Sequence, residues 1–212
     1  MTPGVNESTM NFAWYSKTTD TVSLTYGLKA DLSDGKTVQI ATKGTGQKDK
    51  DGNEYNSSKA TISGLAAQTT YYYKVDDKEI KSFKTGNTGK FRFAFVGDPQ
   101  IGSSNELKGA DTEAFYNAQS NAVANDSYNW SQTLKRYRVQ ELIYCVSRRP
   151  DSDNKEKAPG KSSTTSEIEY AGYLSPDTLA SLPVATTVGN HDADNANYQY
   201  HFNVPNLSNL EI

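Results

Sequence analysis

The spacing of turn residues constrains this chain more than any other feature. Over residues 1 to about 86, strand-like runs follow one another at short intervals, and no helical period interrupts them. Val22–Tyr26 alternates cleanly as Val-Ser-Leu-Thr-Tyr, and Lys36–Ile40 repeats the alternation, as half-buried strands do. The pairs Asp34-Gly35 and Asp51-Gly52 supply turn chemistry. Met10–Tyr15, Lys59–Leu65, Thr70–Val75 and Ile80–Phe83 bring the total to about seven short strands, the pattern of a β-sandwich. Trp14 and the tyrosines then belong to a core, and such a domain carries no chemistry of its own.

Composition narrows the classes. Hydrophobic residues make up 35% of the 212, which is polar for an enzyme and suits a small-cored, surface-rich β protein or a fragment. Aromatics at 11%, with 14 tyrosines, exclude a disordered chain. A net charge of -3 from mixed signs leaves no basic footprint, so nucleic acid is not an expected partner. One cysteine permits no internal disulfide and leaves the compartment open. No apolar run approaches the roughly 18–20 residues of a membrane span, and no charged segment followed by an apolar stretch marks a signal peptide at Met1. Asn-x-Ser sequons begin at Asn6, Asn56, Asn125, Asn129 and Asn206 and matter only in a secreted eukaryotic protein.

After a short polar linker over 84–90, the pattern changes. Phe91–Val96 reads as a strand that stops in Gly97-Asp98-Pro99-Gln100. An aspartate just past a buried strand projects into the crevice at the carboxyl edge of a sheet, where α/β folds bind ligands. An ordinary turn-capping Asp is the plain alternative. Residues 106–135 carry Ala114, Phe115, Ala118, Ala122, Val123, Trp130 and Leu134 at helical spacing. Leu182–Val188 is a second β-branched strand and ends in Gly189-Asn190-His191-Asp192. A carboxamide oxygen beside an imidazole suits a hard or borderline divalent metal, and Asp192 is placed to orient His191 and hold its tautomer. A polar turn would show some of these residues, but not two strand-end motifs in this order.

Two resemblances follow from these residues. Trp14, with Gly64-Leu65-x-x-x-Thr69-x-Tyr71-x-Tyr73-x-Val75, looks like a fibronectin type III domain, in which Tyr71 would make the tyrosine corner. Ala67 and Gln68 stand where that family has Pro and Gly. Gly97-Asp98 and Gly189-Asn190-His191-Asp192 together resemble the calcineurin-like metallophosphoesterases, and the module in front narrows this to the purple acid phosphatase branch. The resemblance also takes in Tyr170–Leu174 and His201–Asn206. It implies a fibronectin type III-like β-sandwich over 1–86, followed over 90–212 by a partial α/β domain of the α-β-β-α sandwich kind. It implies two divalent or trivalent metal ions of the Fe, Zn or Mn type, with Asp98 on the first and Asn190 on the second. His191 would protonate the leaving alcohol or steady the transition state. The substrate would be a phosphoester. The family is commonly secreted. Gln100 stands where many members have a ligand His and is at best a group behind the ligands; His201 matches no ligand motif and reads as structural or pocket-lining.

The same resemblance exposes what this chain lacks. The family has a strand between the two motifs that ends in Gly-Asp, whose carboxylate bridges the metals, and none occurs between Gln100 and Asn190. In its place stands Glu141–Ser147, strand-like, followed by Arg148-Arg149-Pro150. A one-nucleotide shift permits Phe-Ile-Val-Ser-Ala-Gly-Asp to be read from suitable codons for Ile143 onward, which points to a frame-altered segment over 136–157. Cys145, Arg148 and Arg149 fall inside it and are not expected to be functional. The family's later histidine ligands have no counterpart either, because the sequence holds two histidines in all. The reading is a metal-dependent phosphomonoester hydrolase by lineage, incomplete and inactive as this chain. A non-catalytic fibronectin-like module with a vestigial phosphoesterase portion is the alternative. A nucleotide binder lacks any Gly-rich phosphate loop.

Overall fold

Alternation decides the first part of the chain. In β3 (Val22–Gly27) Val22 and Leu24 are buried while Ser23 and Thr25 are more open, and in β7 (Thr70–Val75) Tyr71 and Tyr73 are buried with Tyr72 and Lys74 on the other face. These faces close over Phe12, Ile62 and Phe83, and Leu24 has no exposed surface. The computed structural model describes residues 1–17, 20–48, 52–87, 89–97, 99–105, 113–137, 142–147, 162–188 and 197–205. In it two antiparallel four-stranded sheets face each other. The first has the order β1-β2-β6-β5, where β1 is Thr2–Pro3, β2 Met10–Ser16, β5 Lys43–Lys48 and β6 Glu54–Ile62. The second has the order β4-β3-β7-β8, with β4 at Lys36–Ile40 and β8 at Lys81–Lys84.

The tyrosine corner forms at Tyr71, whose hydroxyl accepts the Ala66 N–H at 2.9 Å. Gln68 in the same turn has φ +54°. That is the left-handed region, which explains why a glycine suits this position. The Gln68 N–H reaches the Gly86 carbonyl and Thr85 donates to the Ala66 carbonyl at 2.6 Å, so the start of the linker is tied back to the sandwich.

The second part is a parallel layer. β9 (Phe93–Val96), β10 (Leu142–Ser147) and β11 (Val184–Val188) lie in the order β11-β10-β9, connected through helices α1 (Glu113–Tyr137) and α2 (Ser162–Leu174). Leu142–Ser147 thus forms the central strand, with Cys145 level with Val96 on one side and Thr186 on the other. Crossovers of one hand place both helices on one face. Ala94, Val96 and Val184 of the sheet pack there with Val123, Trp130 and Leu134 of α1 and Tyr170 and Tyr173 of α2. The other face is open: Phe91, Phe93 and Phe95 are 62%, 54% and 63% exposed. Among the described residues there is one helical layer and one parallel sheet, and a second β layer is not among them.

Three elements differ from the sequence reading. Of the helix expected over 106–135, residues 106–112 lie outside the described residues, the helix runs on to Tyr137 from Glu113, and Ala114, assigned to its apolar face, is exposed. α2 was not expected, because Ser162–Ser166 is a run of hydroxylic residues that favours turns and caps; its buried residues are held by tertiary packing. β5 reads Lys-Gly-Thr-Gly-Gln-Lys and has no apolar alternation, and its register shifts between Gly44 and Lys48.

β6 is buried on both faces over Asn56–Ser58, which no single sandwich face explains. The second part covers its outer side. Ser57 donates to the Tyr200 carbonyl at 2.7 Å, Asn203 to the Ala60 carbonyl at 3.0 Å and Thr2 to the Asn203 carbonyl at 2.6 Å. Tyr73 reaches the Ala180 carbonyl at 2.7 Å, and the Val184 N–H donates to the Met1 carbonyl at 3.1 Å.

Candidate active site

Because β9, β10 and β11 are parallel and in register, their carboxyl ends lie at one edge of the sheet. The segments leading to Asp98 and to Gly189–Asp192 therefore leave the sheet at the same edge, on the two strands that flank β10. Asp98, Asn190, His191 and Asp192 themselves lie outside the described residues, as do Arg148 and Arg149. What the structure describes is the support behind them.

The loop after β9 is held by buried polar groups from both helices. Gln100 is exposed and adopts φ +47°, a left-handed conformation uncommon for a residue with a side chain. Ile101 is fully buried beside it, and Gly102 follows at φ +88°. Asp126 of α1 accepts the Gly102 N–H at 2.8 Å and the Ser104 hydroxyl at 3.1 Å. Asn105 donates to Gln119 at 2.8 Å, and Gln119 donates to Glu169 of α2 at 2.7 Å. A Cβ on Gly102 would meet the Gln119 amide nitrogen at 2.4 Å, so only glycine fits there. Buried polar networks of this kind fix geometry when each member is paired. Beside the loop, Phe95, Val96, Gly97 and Pro99 with Asn129, Trp130 and Thr133 of α1 line an open cleft of about 470 Å³.

The sheet thus brings the carboxyl ends of β9 and β11 to one edge, with the exposed Gln100 in the loop after β9. His201 is elsewhere. It is buried in the contact between the two parts of the chain, stacked on Tyr15 at 4.1 Å and on Tyr170 at 4.0 Å. Its Nε2 lies 3.3 Å from Glu167 Oε2. Burial, followed by the Glu167 charge and Tyr200, pushes the Tyr15 phenol up. Among the described residues no three His, Cys, Asp or Glu side chains are gathered as a metal site. With two histidines in the sequence and His201 taken up in this stack, one imidazole remains for such a centre. The network of Asp126, Gln119 and Glu169 was not foreseen. Asp126 and Gln119 sit mid-helix in α1 and Glu169 lies 43 and 50 positions further on, so only the packing of α1 on α2 brings all three to the loop.

A sandwich of two antiparallel sheets followed by a three-stranded parallel sheet with helices on one face defines a β module joined to an α/β layer. Residues 1–93 match the family model of the purple acid phosphatase N-terminal domain. Over 98% of its length the chain has the fold of part of the purple acid phosphatase from yellow lupin (Lupinus luteus) seeds, with a TM-score of 0.57 and 11% identity. The chain spans 40% of the length of that protein. No curated protein sequence matches it.

Proposed function

We propose that this chain comes from a phosphomonoester-hydrolase lineage of the acid phosphatase kind, and that these 212 residues do not by themselves complete the two-metal site. The observation that supports the reading is that β9 and β11, the strands that lead to Asp98 and to Asn190-His191 in the sequence, end at one sheet edge, after a stretch that matches the purple acid phosphatase N-terminal domain. Asp98 and Asn190 would be the residues toward the metals, His191 with Asp192 the acid toward the leaving oxygen, and Gln100 the group behind them. Bound ions of the Fe, Zn or Mn type would supply an activated water and charge neutralisation on the phosphate. A phosphorylated small molecule is the substrate class. The central strand β10 occupies the place where the bridging carboxylate is expected, and the sequence gives that place Ser147-Arg148.

The donor count favours the second reading, a non-catalytic fibronectin-like module with a vestigial phosphoesterase part, for the chain as it stands. Purified chain titrated with Zn²⁺, Mn²⁺ or iron and assayed on an aryl phosphate separates the possibilities. No turnover is expected. Turnover abolished in both Asp98→Ala and His191→Ala would place the chemistry at this edge but refute its incompleteness. Turnover that survives both would overturn the assignment of the site. The coding sequence over Arg136–Lys157 is the complementary test: codons that yield no Gly-Asp in either alternative frame eliminate the altered segment.

A further inference from the structure

His201 sits in the most densely arranged group outside the candidate site. Tyr55, Tyr15, His201 and Tyr170 form a continuous column of rings, with centroid separations of 6.0, 4.1 and 4.0 Å and interplanar angles of 25°, 19° and 20°. Tyr55 and Tyr15 belong to the sandwich, while Tyr170 belongs to α2 and His201 to α3 (Asn197–His201). The column therefore crosses the boundary between the two parts. The His201 and Glu167 side chains are each 6% exposed, with His201 Nε2 at 3.4 and 3.3 Å from the two carboxylate oxygens. A buried imidazole between two phenol faces and beside a carboxylate is a place built for a cation: both ring faces present negative quadrupole and the carboxylate supplies the counter-charge.

We propose that the His201–Glu167 pair, clamped between Tyr15 and Tyr170, is a proton-dependent latch that tightens the contact between the sandwich and the α/β layer when the imidazole is charged. This does not rest on the phosphatase reading. When His201 is neutral, the pair keeps one hydrogen bond and loses the ion pair and the attraction to both rings. The remaining groups around it do not compete for that role. Tyr15 on β2, Tyr170 and Tyr173 on α2 and Tyr198 and Tyr200 on α3 contribute phenols, a class of group that ordinarily titrates well above an imidazole. Glu169 on α2 accepts from Gln119. Lys43 on β5 and Glu54 and Lys59 on β6 are exposed. The Met1 amino group lines the same small cavity as His201, and burial lowers it to about 6. Its sign is opposite: protonating a group that burial has pushed down weakens the contact as pH falls, whereas charging His201 strengthens it.

Val184 donates to the Met1 carbonyl across the boundary, so its amide reports opening. The test is the exchange protection of that amide in the full chain, corrected for intrinsic rate, at about pH 5.5 and about pH 8, either side of the imidazole range. The native chain is expected to be about five-fold better protected at the lower pH. Glu167→Gln keeps a hydrogen-bonding group of the same shape and is expected to abolish or reverse that ratio. His201→Gln, which retains a planar polar side chain, should do the same. The proposal is overturned if the native chain is equally or less protected in acid, or if Glu167→Gln keeps the native ratio.

Discussion

Tyr71→Phe isolates a single hydrogen bond in the sandwich. The ring is 8% exposed and stacks on Phe83 at 5.7 Å, and the substitution leaves both features in place. What it removes is the hydroxyl that accepts the Ala66 N–H. A hydrogen bond of this kind contributes about 0.5–1.5 kcal/mol net. Ala66 itself is exposed, so water can reach its N–H once the hydroxyl is gone, which keeps the loss from exceeding the middle of that range, about 1 kcal/mol. For a unit of this size that lowers the melting temperature by roughly 4–8 °C. The chain has two tryptophans, and Trp14 packs on the sandwich core while Trp130 lies in the other core. Urea unfolding followed by fluorescence in a Trp130→Phe background reads the sandwich alone, with the slope of the transition checking that the unfolded reference is unchanged. A loss below about 0.3 kcal/mol with an unchanged slope would refute the corner as a stabilising device.

Two further outcomes follow from the packing. Gly102→Ala combines φ +88° with a Cβ 2.4 Å from Gln119, so it should cost more than about 2 kcal/mol and speed amide exchange at Ser104 and Asn105; wild-type-like melting would contradict the loop geometry. Asp34 accepts the Leu28 and Lys29 N–H groups at 3.0 Å each, and these bonds hold its carboxyl below the ordinary carboxylate value. Its contribution is therefore present above that ordinary value and lost as pH falls through the lowered one; Asp34→Asn should flatten the acid limb of the stability profile below about pH 4, and an unchanged limb would dismiss the coupling.

Much of the fold was legible because strands that bury one face must alternate. Val22–Tyr26, Thr70–Val75 and the Tyr71 corner follow from periodicity and turn chemistry that act within a few residues. The strand ends at Val96 and Val188 were equally local. β5 and α2 were not legible, because β5 and the hydroxylic start of α2 carry no apolar pattern in the sequence; β5 is held by pairing with β6, and α2 as a whole packs on α1.

The sequence by itself determined the two-part organisation, the strand-end motifs and the number of imidazoles the chain can offer, since these are properties of residue order and count. Only the tertiary structure decided how they are used. Parallel register brings the β9 and β11 ends to one edge, two helices place Asp126, Gln119 and Glu169 around one loop, and the docking of α3 on β2 encloses His201 between Tyr15 and Tyr170. Contacts between residues 107 to 201 positions apart, such as Tyr73 with Ala180 and Thr2 with Asn203, depend on how whole elements pack, and no local pattern encodes them.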